Sequence, residues 1–371
     1  MTTEDMWHLH RQLHGVGFAS NQTNEDLCRF ASEMGFRCIP IRGRLDLVRN
    51  LFTAAKGKPK TLLAGYPAIC SVLTSSLLRR FDAAVLKRLA TGQNLILYVT
   101  DLPILQNFAF RGGREVDKTA RKLEGELFRL ASRICAWNET MATFLNNEYS
   151  LPRSKQVLFE FLDFGVSGSP IQGRPPGSES TIVLAGNLIE QQLGTKIRAL
   201  PASSDLRYEF YGPDGSWISH LSRPDIHFMG SIPPAKLVGQ LSRRAHFGLV
   251  LRDYEDARVL QYLELGTTSK FSAYMVAGIP ALVPRRHQYL SSLVERYEVG
   301  YVFDDLKDIP AVTKLAKATD YEQRRENSWT LGRKLSAGFF FKKAVREALK
   351  SLGVGNFPNE VPDLKADYDA H

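Results

Sequence analysis

One segment combines residue types and spacing that could do chemistry: Gly266-Thr-Thr-Ser-Lys-Phe-Ser-Ala-Tyr-Met-Val-Ala-Gly-Ile-Pro-Ala-Leu-Val-Pro284. It reads as a loop, a helix over Ser269–Ala277, a stop at Gly278 and then a strand. Thr268 or Ser269 suits the helix N-cap. A helix N-terminus offers free N–H groups and a partial positive charge, so it favours phosphate. Lys270 in that first turn opposes the helix dipole and makes more sense with an anion opposite, such as the two charges of a diphosphate. The plainer alternative is a solvated lysine on a surface helix.

A second candidate is Asp101, which follows the apolar run Leu95-Ile-Leu-Tyr-Val99 and Thr100. A carboxylate at a strand end can act as a general base, and it can equally be a cap or loop residue. The histidines invite a metal reading, because His10 and His14 have the i, i+4 spacing of a zinc helix. Gln12, however, stands where that motif needs a glutamate, and His8 and His10 alternate as strand residues do. No metal site is expected. Asp253, Asp256 and the pair Asp304-Asp305 read as solvated acidic turns. Cys28, Cys38, Cys70 and Cys135 are far apart and form no C-x-x-C pair, so they are expected to be free thiols of a reducing, cytoplasmic compartment.

The chain has 371 residues, 48 Lys and Arg against 39 Asp and Glu, and a formal charge of +9. That length suggests two domains at roughly 150 residues each. No window reaches about 18 consecutive apolar residues, so no membrane span is expected, and Met1 to Arg11 lacks the apolar core of a secretory signal. Basic clusters at Arg42–Arg49, Lys56–Lys60, Arg79-Arg80 and Arg285-Arg286 are dispersed and accompany no nucleic-acid-binding motif. They read as solvated surface, with attraction to an acidic acceptor or a membrane face as the alternative.

The elements that must position these residues alternate strand and helix. In the first half, Leu95–Val99 and Ile134–Ala136 are strand-like. Ser75–Leu89, Asp117–Ser132 and Glu139–Leu145 have helical spacing. Gly165–Ser180 is rich in Gly, Ser and Pro and reads as a linker. Strands then recur at Thr181–Ala185, Leu206–Phe210, Ile226–Met229, His246–Leu251 and Pro280–Val283, with helices at Pro234–Ser242, Ser269–Ala277 and Tyr289–Arg296. The expected organisation is an α/β chain of two Rossmann-like domains, residues 1–163 and 164–330, facing a central cleft. Tyr321–Leu352 reads as helical, with about 331–352 able to return to the first domain. A polar tail occupies 353–371.

The Ser269–Pro284 run resembles the H-K-L-S-x-Y-L-x-x-G-x-P-V-x-V stretch of GT-B glycosyltransferases of the glucosyltransferase 3-like family, which serves serine-rich-repeat adhesin glycosylation, and of their galactofuranosyltransferase-like relatives. Other pieces match in order: Leu13-His-Gly15, Leu158-Phe-Glu-Phe-Leu-Asp-Phe164, Tyr208-Glu-Phe-Tyr-Gly-Pro213, Met229-Gly-Ser-Ile-Pro-Pro234 and His246-Phe-Gly-Leu-Val250. The resemblance implies the GT-B architecture and a nucleoside diphosphate sugar, usually a UDP-sugar, on the C-terminal domain. Carried over by motif, Lys270, Thr268 and Ser269 would meet the diphosphate and Tyr211 would sit by the nucleotide. Gly230 and Ser231 would approach the base, Asn187 would face the cleft, and Gly15 and Gly17 would near the phosphates. The resemblance also implies homo-oligomers and no metal cofactor, since GT-B enzymes stabilise the leaving diphosphate with cations and helix dipoles. Two positions depart from the pattern. Ser269 replaces the histidine of the His-Lys pair, and Thr100 replaces the histidine of a His-Asp pair, which leaves Asp101 as the candidate base. The expected reaction is hexose transfer, from UDP-glucose to O-linked N-acetylglucosamine on a Ser/Thr-rich adhesin. The alternatives are hexosyl or galactofuranosyl transfer to a cell-surface polysaccharide and a non-catalytic binding partner.

Overall fold

A computed structural model describes residues 6–11, 19–41, 49, 59–66, 91–102, 105, 118–166, 177–252 and 257–354. Gly15, Gly17, the segment Ser75–Leu89, Cys70, Asp253, Asp256, most of the proposed linker and the tail lie outside the described residues. The chain divides into two compact units. The first comprises Met1–Gly15, Ser20–Leu162 and Gly338–His371, and the second Val16–Ala19 and Asp163–Ala337.

The first unit contains β1 (Met6–Arg11), α1 (Ala19–Glu33), β2 (Arg37–Ile41), β3 (Thr61–Tyr66), β4 (Asn94–Val99), α2 (Lys118–Leu130), β5 (Arg133–Ala136), α3 (Glu139–Tyr149) and β6 (Gln156–Leu158). Its six strands are all parallel, in the order β2-β1-β3-β4-β5-β6. Parallel strands covered on both faces read as continuous apolar runs. Leu95 to Val99 fit this, each at most 2% exposed.

The second unit contains β7 (Ser180–Ala185), α4 (Glu190–Arg198), β8 (Leu206–Tyr211), β9 (Ile226–Gly230), α5 (Pro234–Arg244), β10 (Phe247–Leu249), α6 (Ala257–Leu263), α7 (Ser269–Val276), β11 (Ala281–Pro284), α8 (Gln288–Tyr297), β12 (Gly300–Phe303), α9 (Ile309–Ala318) and α10 (Tyr321–Ser336). The sheet order is β12-β11-β10-β7-β8-β9, again all parallel. Counted within the unit this is 3-2-1-4-5-6, the Rossmann order, and its direction reverses between β7 and β10. Ile182, Leu184, Leu193, Ile197, Phe210, Phe247, Leu249 and Leu282 form its core.

The segment Tyr321–Leu352 forms two helices. After α10, Gly338 takes φ +71°, and α11 (Phe339–Ser351) follows. A Cβ at Gly338 would lie 2.4 Å from the Phe30 ring, so glycine is needed there for space as well as for backbone angle. α11 belongs to the first unit. Phe341 packs edge-on to Tyr98 at 4.9 Å, Phe340 meets Phe161 at 4.8 Å, and Lys342 pairs with Glu33 at 2.5 Å.

Candidate functional site

In doubly wound sheets ligands gather beyond the carboxyl ends of the strands, where the strand order reverses. In the second unit that point is framed by the loops after β7 and β10 and by the start of α7. Thr268 is the α7 N-cap, and its Oγ1 accepts the Phe271 N–H at 3.3 Å. The N–H groups of Ser269 and Lys270 have no acceptor among the described residues, so this end of the helix keeps two free donors. The other end is closed by Gly278 at φ +68°, whose N–H donates to Met275 O at 2.9 Å.

α7 is held in place by burial. Residues 270 to 277 are all buried. The Tyr274 hydroxyl donates to Leu249 O and accepts from Ala185 N, each at 3.0 Å, which bolts the helix to β10 and to the end of β7. On its outer side, a Cβ at Gly332 of α10 would stand 2.1 Å from Met275 O, so the two helices pack backbone to backbone.

Lys270 is therefore not a solvated surface lysine: it is 6% exposed. Its side chain lies across Gly186, the residue after β7, where an added Cβ would meet Lys270 Cε at 2.6 Å and Nζ at 3.2 Å. No described residue gives the ammonium a carboxylate or a hydrogen-bond acceptor. Burial pushes its pKa well below the ordinary lysine range, and the nearby Arg252 guanidinium pushes it the same way. Two cations thus converge at the switch point beside two free helix N–H groups. A buried charge without a partner is costly. An anion bound there would relieve that cost, and no group among the described residues does.

The neighbouring loops are laced together by their backbones. Gly186 N donates to Tyr211 O at 2.8 Å, and Gly212 N to Gly230 O at 2.9 Å. Gly212, at φ +147°, comes so close that a Cβ would stand 1.8 Å from Gly186 O. Gly230 faces open space, with Ser231 exposed beside it, and Asn187 is exposed beyond Gly186. The buried Tyr211 has its hydroxyl occupied: it donates to Glu209 Oε2 at 2.7 Å. Burial alone would push Glu209 up, but Tyr211, Arg244 and Arg207 outweigh it and hold the carboxylate below its usual range. Lys270, Thr268, Ser269, Asn187, Tyr211, Gly230 and Ser231 thus all stand at the carboxyl ends of one sheet or at the helix beside it.

Asp101 belongs to the other unit, at the carboxyl end of β4. It is half-buried, and its Oδ1 accepts Leu102 N at 2.7 Å. Thr100 donates its hydroxyl to Tyr66 O at 2.9 Å. Arg252, Gly186 and Tyr274 carry as much of the second-unit site as the residues singled out by motif. Arg252 had a visible signal, a cation directly after an apolar strand. The tyrosine bolt had none, since it spans strands far apart in sequence.

Comparison with known proteins agrees with this fold. Residues 182–348 match the model of the glucosyltransferase 3-like C-terminal domain. Glucosyltransferase 3 of Streptococcus gordonii is 26% identical over 131 residues, 34% of this chain and 38% of that protein, so the match spans well under half of the curated relative. Among solved structures, Anabaena Alr3699/HepE in complex with UDP-glucose has a TM-score of 0.59 at 11% identity, covering 94% of this chain and 99% of that one. The lipopolysaccharide outer core galactosyltransferase WaaB has a TM-score of 0.51 at 8% identity, covering 92% and 99%. The pneumococcal O-GlcNAc transferase GtfA, with UDP and GlcNAc, has a TM-score of 0.51 at 13% identity, covering 84% and 61%. No helix among the described residues is long and apolar enough to cross a membrane. The chain therefore has the GT-B fold and resembles the glucosyltransferase 3-like family, whose C-terminal domain its residues 182–348 match.

Proposed function

We propose that this chain is a UDP-sugar-dependent glycosyltransferase that moves a hexose, glucose from UDP-glucose, to a sugar hydroxyl. The acceptor we assign is O-linked N-acetylglucosamine on a Ser/Thr-rich adhesin glycoprotein. The observation that carries the reading is Lys270, a buried cation with no counter-charge among the described residues, set beside free helix N–H groups in a domain matching the glucosyltransferase 3-like model. That arrangement suits a leaving diphosphate, because preorganised donors are worth most where charge develops in a water-poor site. In this mechanism Lys270, Arg252 and the N–H groups of Ser269 and Lys270 neutralise UDP as the sugar departs. Gly230, Ser231 and Asn187 line the nucleotide and sugar. Tyr211 acts through the loop it anchors. Asp101 takes the acceptor proton, and no metal is needed at the diphosphate. The same reading carries a cytoplasmic, homo-oligomeric enzyme.

The test is a panel of UDP-glucose, UDP-galactose, UDP-N-acetylglucosamine and GDP-sugars, read by thermal shift and by UDP release with N-acetylglucosaminylated peptide as acceptor. Selective stabilisation and turnover with UDP-glucose is the expected result. Turnover with another UDP-hexose on a polysaccharide acceptor would move the reading to cell-surface polysaccharide synthesis. Stabilisation by no nucleotide would end it. One observation favours a second reading, a binding partner without catalysis: Thr100, where the family has histidine, spends its hydroxyl on Tyr66 O. Donor binding without turnover on any acceptor would select it.

A further inference from the structure

His8, Cys28 and Cys38 lie 20 and 10 residues apart in sequence, and the first βαβ crossover brings them together. His8 and Cys38 are direct register partners on the adjacent parallel strands β1 and β2, so their side chains leave the sheet on the same face. α1 carries Cys28 over that face. His8 Nδ1 stands 3.5 Å from Cys38 Sγ, and the ligand atoms of all three residues lie within 4.8 Å of one another. His8 is buried, and the two thiols are partly so.

We propose that these three residues form a binding site for a thiophilic divalent cation of the Zn²⁺ type, a Cys₂His set with a solvent molecule completing the tetrahedron. Two thiolates and an imidazole are the donor set that Zn²⁺ prefers over Mg²⁺ or Ca²⁺. With Zn–S near 2.3 Å and Zn–N near 2.0 Å, a tetrahedral ion separates its ligand atoms by about 3.5–3.8 Å. The His8–Cys38 edge already has that length. The Cys38 thiol lies 3.0 Å from the Cys28 carbonyl oxygen and 3.2 Å from Ser32 Oγ. The ion would staple α1 to β1 and β2, two strands at the edge of the first sheet, and so serve as a structural clasp.

The test uses the full chain, reduced, stripped of metal by dialysis against a chelator, and titrated with Co²⁺. One equivalent per chain should develop the thiolate-to-cobalt charge-transfer band and tetrahedral ligand-field bands. Zn²⁺ should bleach both, and C28S and C38S should lose the charge-transfer band. Should either variant fail to fold, alkylation of the wild-type chain decides. Zn²⁺ should protect Cys28 and Cys38 from iodoacetamide. The spectroscopic proposal is overturned if no thiolate band appears, if it persists in the double variant, or if Zn²⁺ leaves both thiols as reactive as before. A reduced chain that ignores metal and forms a Cys28–Cys38 disulfide on oxidation overturns it equally.

Discussion

Two buried titratable side chains, one in each unit, are treated in opposite ways. In the first unit the carboxylate of Glu124, on α2, is 1% exposed and accepts the hydroxyls of Tyr66 and Tyr149, one on each oxygen. In the second unit the ammonium of Lys270 is nearly as buried and, among the described residues, meets only the like charge of Arg252. A buried polar group that the fold itself satisfies specifies packing. One that the fold leaves alone marks a place for a ligand. Glu124 belongs to the first kind and Lys270 to the second, although burial shifts both pKa values away from the charged form.

The comparison can be broken most decisively at Lys270. Replacing it with alanine should lower turnover by about 10²–10³-fold, the usual loss on removing one preorganised oxyanion donor. The melting temperature of the unliganded chain should stay level or rise, since an uncompensated buried charge has gone. A lysine with a structural role would show the reverse, a lower melting temperature with residual turnover per folded molecule intact.

Next in size is Gly212→Ala. Its Cβ would have to displace the Gly186 backbone, and φ +147° disfavours a side chain. A loss of about 3 kcal/mol is expected in denaturant unfolding, together with weaker nucleotide binding, because Gly186 underlies Lys270.

Glu124 gives a pH signature instead. Burial raises its pKa to about 7, with the two tyrosine hydroxyls opposing the rise. An acid whose folded pKa lies above its unfolded one stabilises most at low pH, and that contribution is lost as pH rises through about 7. The first unit should therefore lose about 3 kcal/mol between pH 4.5 and 7 from this residue. Glu124→Gln should flatten that slope in chemical denaturation curves across the range, with turnover at saturating substrate retained. A variant that abolishes turnover while leaving the slope intact would place Glu124 with Lys270 and undo the contrast. Smallest is Thr268→Ala, which removes the α7 cap and should cost about 1 kcal/mol, read as a modest drop in melting temperature.

How much of this was legible in the sequence differs between the units. β7 through β11 are marked by apolar runs that end in glycine or polar turns, so the second sheet reads almost strand by strand. β2 is not marked that way: Arg37, Cys38 and Pro40 interrupt its apolar pattern, and its place is settled by pairing with β1. The break between α10 and α11 turns on one glycine accommodated by Phe30, some 300 residues distant. The N-cap at Thr268 follows from local chemistry. That Lys270 is buried does not, because its neighbours Gly186 and Arg252 follow two different strands. Cys28 and Cys38 show the same limit. Their spacing reads as unrelated thiols, and only the strand register brings them to His8.

The central claim is that Lys270 is a buried cation waiting for a diphosphate. Calorimetric titration of UDP onto the wild-type chain and onto Lys270→Met tests it most directly. The account predicts UDP binding in the wild type and its loss in Lys270→Met. Equal affinity in the two proteins would contradict it.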